Sequence, residues 1–241
     1  MQRGDDIKGS EVGVKSLRMH GTIARDLGRE IVSGRMQPGT LLDSEIVASK
    51  LNGVSRATYR EAVRILAAKG LVEAKPKAGT RVSEQVDWQV LDPDVLAWIF
   101  SSEPRQDLIA HLFELRRVIE PAAASFAAGR RSFAQLGQME AALKEMERFT
   151  LADERGRAAD NRFHSVLLEA SANPFLTTLS DGICAAVSLA TMFRLNKSPV
   201  QRDPVPDHWQ VFEAIAAGDA EQAGACMTAL IDRTYVDTKG V

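Results

Sequence analysis

The chain has 241 residues, 45% of them hydrophobic and 26% charged, with a formal net charge of −2. That balance excludes a disordered or strongly basic chain, and no run of about 18 apolar residues exists to cross a membrane as a helix. The small net charge hides an asymmetry: residues 1–84 carry 15 Lys+Arg against 10 Asp+Glu, a net +5, and residues 85–241 carry 15 against 22, a net −7. A basic head on an acidic body suits nucleic-acid binding by the head alone.

The first stretch, MQRGDDIKGSEVGVKS, has no apolar core of a signal peptide and reads as a disordered polar arm over residues 1–16. Residues 18–33 predict an amphipathic helix with Ile23, Ala24, Leu27 and Ile31 on one face, and Pro38-Gly39 ends the connector that follows. Over residues 44–70 two short helices are broken by Asn52-Gly53. Ser44 caps the first, in which Ile46, Val47 and Leu51 repeat at helical spacing. Ser55 caps the second, which buries Tyr59, Val63 and Leu66. Arg56, Arg60 and Arg64 fall four apart beside that apolar seam. Such a helix can enter a DNA major groove N-terminus first, though three arginines on one face are equally the pattern of a solvated helix. Residues 71–75 and 80–82 predict a hairpin around Pro76-Lys77-Ala78-Gly79, a basic wing suited to phosphate contact.

These residues together resemble the winged helix of the GntR family of bacterial transcription regulators. The resemblance covers residues 17–84 and rests on Ile31-Val32-Ser33-Gly34-Arg35, Pro38-Gly39, Leu41, Ser44-Glu45, Gly53-Val54-Ser55-Arg56, Arg60-Glu61-Ala62-Val63, Gly70-Leu71-Val72 and Gly79-Thr80. Asp43 stands where that family usually has proline, and Ile46 where some relatives carry a DNA-contacting arginine. The resemblance implies DNA contact through Ser55, Arg56, Thr58, Arg60, Lys77 and Gly79.

Residues 85–104 read as a linker, with Trp88 and Leu91 docking on one of the domains. They end in a short helix capped by Asp92, with Val95, Leu96, Ile99 and Phe100 buried. From residue 105 to 241 only helical periodicity appears. The pattern predicts helices over 106–129, bent at Pro121, 132–152, 155–172 and 174–195. A loop over 196–206 follows, then a helix capped by Asp207 that ends near Gly218, and a last helix from Asp219. The fold class is therefore mainly α: an N-terminal winged helix–turn–helix with a small β hairpin, then an antiparallel helical bundle. Cys184 and Cys226 sit in apolar helical patterns and read as buried free thiols.

Three polar residues fall on faces that ought to be apolar. Asp160 and His164 are one turn apart on the face of Phe163 and Leu167, and His208 lines up with Val211, Phe212 and Ile215. They are either core histidines with a hydrogen-bonded carboxylate, or the makings of a divalent-metal site. Arg116 and Arg233 also fall in apolar seams. The intrahelical partner for Arg116 is Glu120, and its functional partner would be an anionic ligand.

Asp160, Phe163-His164, Leu167, Ser171, Asn173, His208 and Ile215 to Asp219, with Leu115-Arg116 and Glu120-Pro121, resemble the FCD effector domain of the FadR branch of GntR regulators. Metal-binding members use an aspartate and three histidines. The first three ligands fall on Asp160, His164 and His208, and the fourth would fall near Leu230, which is not a histidine. The resemblance implies one divalent ion, zinc first with nickel or manganese as alternatives. It also implies a small carboxylate effector held by Arg116, Arg233 and Asn173. The linker from Trp88 to Ile99 is similar to that of galactonate-operon repressors, which implies a sugar acid. The resulting expectation is a cytoplasmic, homodimeric transcription regulator, a repressor that reads a palindromic operator in double-stranded DNA, with no membrane partner and no catalysis. Rival readings are an acyl-CoA-responsive regulator of the fatty-acid type and a metal-dependent enzyme carrying a DNA-binding domain.

Overall fold

The computed structural model describes residues 6–76, 78–101, 106–197 and 202–239, which divide after residue 103 into two compact units. The first opens with helix α1 (Asp6–Val32). Residues 6–16, expected as a disordered arm, are therefore helical. Once the packed turns near Ile23, Ala24 and Ile31 nucleate a helix, each further residue adds a backbone bond, and no proline interrupts the stretch. Helices α2 (Glu45–Leu51) and α3 (Arg56–Ala68) follow, capped by the Ser44 and Ser55 hydroxyls, which accept from the Val47 and Thr58 amides. Ile46, Val47 and Leu51 on α2 are exposed, and Ala48 and Ser49 are buried in their place. The spacing of those three residues marked an outer face, not a core.

Strands β1 (Val72–Lys75) and β2 (Gly79–Val82) pair antiparallel, with Val72 opposite Val82 and Lys75 opposite Gly79. The connector joins them as a third run of backbone: Leu42 N–H donates to Thr80 O at 2.8 Å and Val82 N–H to Thr40 O at 2.9 Å. Lys77, at the turn, lies outside the described residues.

Residues 85–100 do not stand apart as a linker. The Trp88 indole donates to Ser83 O at 3.2 Å, and Lys69 at the end of α3 pairs with Asp92 at 2.7 Å and Asp94 at 2.9 Å. Asp92 caps α4 (Pro93–Phe100) through the Asp94 and Val95 amides. That helix buries Val95, Leu96, Trp98 and Ile99 against α1 while Phe100 is half-buried, so Trp98 takes the inward place expected for Phe100.

The second unit is all helix. It comprises α5 (Gln106–Arg130), α6 (Phe133–Phe149), α7 (Glu154–Ala170), α8 (Pro174–Thr177), α9 (Ser180–Lys197), α10 (Val205–Ala217) and α11 (Ala220–Lys239). A capping box joins Ser132 to Gln135 at the start of α6, and Asp153 caps α7. The helix expected over 174–195 is broken into α8 and α9. α10 starts at Val205 after Pro204, so Asp207 lies inside its first turn, and Gly218 ends it with a left-handed φ of 79°. α5 packs on α11, α7 and α10, and α7 packs on α6 and α9. This brings the inner faces of α5, α7 and α10 to one buried layer. Cys184 and Cys226 are free.

The crossing of α1 and α4 depends on a missing side chain. A Cβ at Gly28 would lie 2.3 Å from Trp98 Cε3. Gly28→Ala should therefore destabilise the first unit by roughly 1–3 kcal/mol. Urea unfolding followed by tryptophan fluorescence checks this, and an unchanged midpoint would mean that the two helices slide apart freely.

Candidate functional site

The centre of the second unit is a chain of charged groups. Arg116 and Glu120, one turn apart on α5, pair through Arg116 Nε and Glu120 Oε1 at 2.6 Å, both fully buried. The other carboxylate oxygen, Oε2, lies 2.7 Å from His164 Nδ1 on α7; neither atom has an aligned hydrogen-bond partner, so the contact is electrostatic. His164 Nε2 faces Asp160 Oδ1 at 3.6 Å and His208 Nε2 at 3.4 Å, and His208 Nε2 is 3.1 Å from the same carboxylate oxygen. The Phe163 ring stands nearly perpendicular to both imidazoles, at centroid distances of 5.7 and 5.3 Å.

The tautomers follow from the outer partners. The Pro204 carbonyl 2.8 Å from His208 Nδ1 can only accept, so Nδ1 carries the hydrogen and Nε2 a lone pair. A carboxylate beside His164 Nδ1 imposes the same on that ring. Two lone pairs and a carboxylate oxygen without a hydrogen-bond donor then converge on one point. Such a set is stable only with positive charge among its members.

The geometry fits a metal. Bonds of about 2.0–2.2 Å to a tetrahedral ion put neighbouring donors about 3.3 Å apart. The three spacings here run from 3.1 to 3.6 Å. The imidazoles are braced from behind by a carboxylate and a backbone carbonyl, the usual outer partners of metal-bound histidine. Next to the three donors is a cavity of about 10 Å³, whose walls include Leu230, Thr191 and Thr234. It offers room for about one water-sized ligand beside Leu230.

Without an ion the charge falls on His164. Burial works against its protonation, but the Glu120 and Asp160 carboxylates outweigh it and push its pKa up to about 9. Burial likewise opposes ionisation of Glu120, yet Arg116 and then His164 hold it down at about 2. Asp160, also penalised by burial, is held well below the usual carboxylate range by the two imidazoles.

The expected effector residues separate. Arg116 lines the inner cavity, but its Nε is committed to Glu120. Arg233 is exposed and pairs with Asp207, because its position on α11 points past the bundle while Thr234 turns inward. Asn173 is outside the cavity, and its side-chain oxygen caps α8 by accepting from the Phe175 amide at 3.0 Å. The arginine that sequence reasoning missed is Arg194 on α9. It is fully buried, lines the inner cavity, and reaches Asp237 at 3.4 Å. An arginine inside the apolar run Leu189-Ala190-Thr191-Met192-Phe193-Arg194-Leu195 was the available signal. The bracing role of Glu120 towards His164 was also missed, since it depends on a contact between helices.

In the first unit, Arg56 is exposed at the start of α3 and makes no ion pair among the described residues. Arg60 is held by Glu45 of α2 through two bonds of 2.8 Å, and Arg64 lies 3.3 Å from Glu61. The Ser55 hydroxyl meets Thr58 Oγ1 at 2.8 Å, and Gly79 opens β2 with a left-handed φ of 83°.

Residues 20–82 match the family model described as bacterial regulatory proteins of the gntR family, and residues 111–233 match the FCD domain. The galactonate operon transcriptional repressor of Escherichia coli is 35% identical over 208 residues, 84% of this chain and 90% of that protein. The chain belongs to the GntR family. LutR of Bacillus subtilis is also 35% identical, over 83% of this chain and 91% of its own length. A solved GntR regulator from Rhodococcus sp. RHA1 shares the fold at 23% identity, with a TM-score of 0.52 over 95% of this chain and 99% of that one. The family and these relatives are transcription regulators, not enzymes, so the chain is a GntR-family transcription regulator with an FCD domain. No helix among the described residues is long and apolar enough to cross a membrane.

The His164 shift has a sign that can be tested. A folded pKa of about 9 above an ordinary 6.5 stabilises the metal-free protein fully below pH 6.5. That contribution, on the order of 3 kcal/mol, is lost as pH rises through 9. Urea unfolding in EDTA across this window should show the loss in the wild type and not in His164→Gln. Parallel curves for the two proteins would place the buried positive charge elsewhere.

Proposed function

We propose that this chain represses genes of sugar-acid metabolism in the cytoplasm and leaves its operator when a galactonate-like aldonate or a uronate binds the helical domain. The observation that carries the reading is the buried convergence of Asp160, His164 and His208 in the FCD domain of a chain 35% identical to a protein named as the galactonate operon repressor. The Uxu operon transcriptional regulator of E. coli, 27% identical over 86% of this chain, extends the candidate acids to uronates.

Two chains in a homodimer would present two α3 helices to a palindrome, since a two-fold protein axis matches a two-fold site. Arg56, already free in the first turn, would reach base edges or phosphate; Ser55, Thr58 and Gly79 fit the backbone nearby, with Lys77 of the wing. Arg60 reaches DNA in the orientation that Glu45 gives it. In the helical domain Asp160, His164 and His208 would hold a divalent ion, zinc before nickel or manganese. Such an ion would supply a Lewis acid for a hydroxyl or carboxylate oxygen of the acid. Glu120 and the Pro204 carbonyl orient the two imidazoles, Arg116 keeps Glu120 ionised, and Phe163 shields the cluster. The acid releases the operator only if it binds the DNA-incompetent arrangement more tightly.

Fluorescence anisotropy on an operator selected from random duplexes tests this. Zinc-loaded protein should release the DNA on addition of D-galactonate or another member of an aldonate and uronate panel. Arg56→Ala should weaken operator binding by about 1–3 kcal/mol at matched salt. Binding indifferent to every acid, with and without zinc, would sink the sugar-acid reading. Wild-type affinity in Arg56→Ala would take that residue off the DNA surface.

A further inference from the structure

The first unit holds a pocket of its own, about 340 Å³ in volume, between the wing, the connector and the starts of α2 and α3. That is inside the range of ordinary small-molecule sites. Leu41, Leu42 and Asp43 of the connector, Glu45 of α2, and Tyr59 and Val63 of α3 give it its chemistry. We propose that this pocket takes a protonated aliphatic amine, with the ammonium between the Asp43 carboxylate and the Tyr59 hydroxyl and the chain along Leu41, Leu42 and Val63.

The phenol is the first reason. Tyr59 is only 3% exposed and lines the pocket, yet its hydroxyl makes no hydrogen bond among the described residues. A buried tyrosine hydroxyl ordinarily finds a partner. Burial first, then the Asp43 and Glu45 carboxylates, push its pKa up, so the phenol stays neutral and its oxygen can accept from an N–H donor.

Charge selects the ligand class. The Glu45 carboxylate is already matched by Arg60 through two bonds of 2.8 Å, and Asp43 makes no ion pair among the described residues. The pocket therefore carries one uncompensated negative charge, which repels a phosphate or an acid and attracts a cation. A bare metal ion would find one open carboxylate and aliphatic walls, too few oxygens to replace its water. An alkylammonium uses both halves of the lining, since its head takes the carboxylate and its chain the leucines and valine. Occupancy would also act on DNA binding. Arg56 is close enough to Glu45 to help lower its pKa, so this acidic pocket borders the arginines of α3. An open carboxylate there opposes the phosphates that those arginines attract, and an ammonium beside it would cancel the repulsion.

Titration of the isotope-labelled full chain with n-butylamine at constant ionic strength, followed by NMR of the backbone amides, tests the site. Saturable shifts should centre on Leu42, Asp43 and Thr80, and n-butanol, with the same chain and no charge, should not produce them. Asp43→Asn should weaken amine binding about fivefold or more. Tyr59→Phe, which removes only the hydroxyl, should weaken it about threefold. Asp43→Asn without amine should tighten operator binding several-fold at matched salt, because it removes the charge that the amine would cover. No saturable shift at the pocket, or equal amine affinity in the wild type and both variants, would overturn the site. Equal binding of n-butanol would overturn the ammonium, and wild-type operator affinity in Asp43→Asn would overturn the link to DNA.

Discussion

Five charged or ionisable side chains from three helices meet where a helical bundle is ordinarily apolar, and their charge balance governs the effector half of the molecule. Arg116 faces the two carboxylates of Glu120 and Asp160 across buried imidazoles, and Arg194 of α9 lines the same cavity. Desolvation favours a positive charge close to the two carboxylates. In the metal-free protein a proton on His164 serves this need: burial opposes it, but the Glu120 and Asp160 carboxylates push the pKa up to about 9.

The fold serves that layer. Helix α5 carries the Arg116–Glu120 pair, α7 carries Asp160 and His164 one turn apart, and α10 carries His208 four residues beyond the carbonyl that orients it. None of the three helices can rotate without breaking the spacing of the donors. The apolar neighbours Phe163, Leu167, Val211 and Ile215, all fully buried, fix those rotations. Beside the layer, Arg194 of α9, Arg202 before α10, Asp207 of α10 and Asp237 of α11 form a second set of ion pairs, in which Arg202 and Asp237 are half-buried.

Much of this was legible in the sequence because it depends on local periodicity. The helix–turn–helix, the wing and the caps at Ser44, Ser55, Asp92 and Ser132 follow from spacing and capping chemistry. The inward placement of Asp160, His164 and His208 follows from helical phase. What was not legible depends on contacts between elements. The exposed face of α2 reads as a core face until its neighbours are known, and the helical start of the chain is set by packing downstream. Arg233 and Asn173 fell on plausible faces, yet one pairs with Asp207 at the surface and the other caps a four-residue helix. The Glu45 partner of Arg60 sits on a different helix and leaves no mark in the spacing of the arginines. Arg194 announced itself only as a single cation in an apolar run, a weak signal until its burial was known.

The central claim is that the buried layer carries one exchangeable positive charge, a proton or a metal ion. Titrating zinc into metal-free protein at pH 7.5, in two buffers of different ionisation enthalpy, counts the protons that leave. One zinc per chain with release of about one proton is the predicted result, because His164 must give up its proton to offer a lone pair. Zinc uptake without proton release, or uptake that survives Asp160→Asn unchanged, would contradict the account.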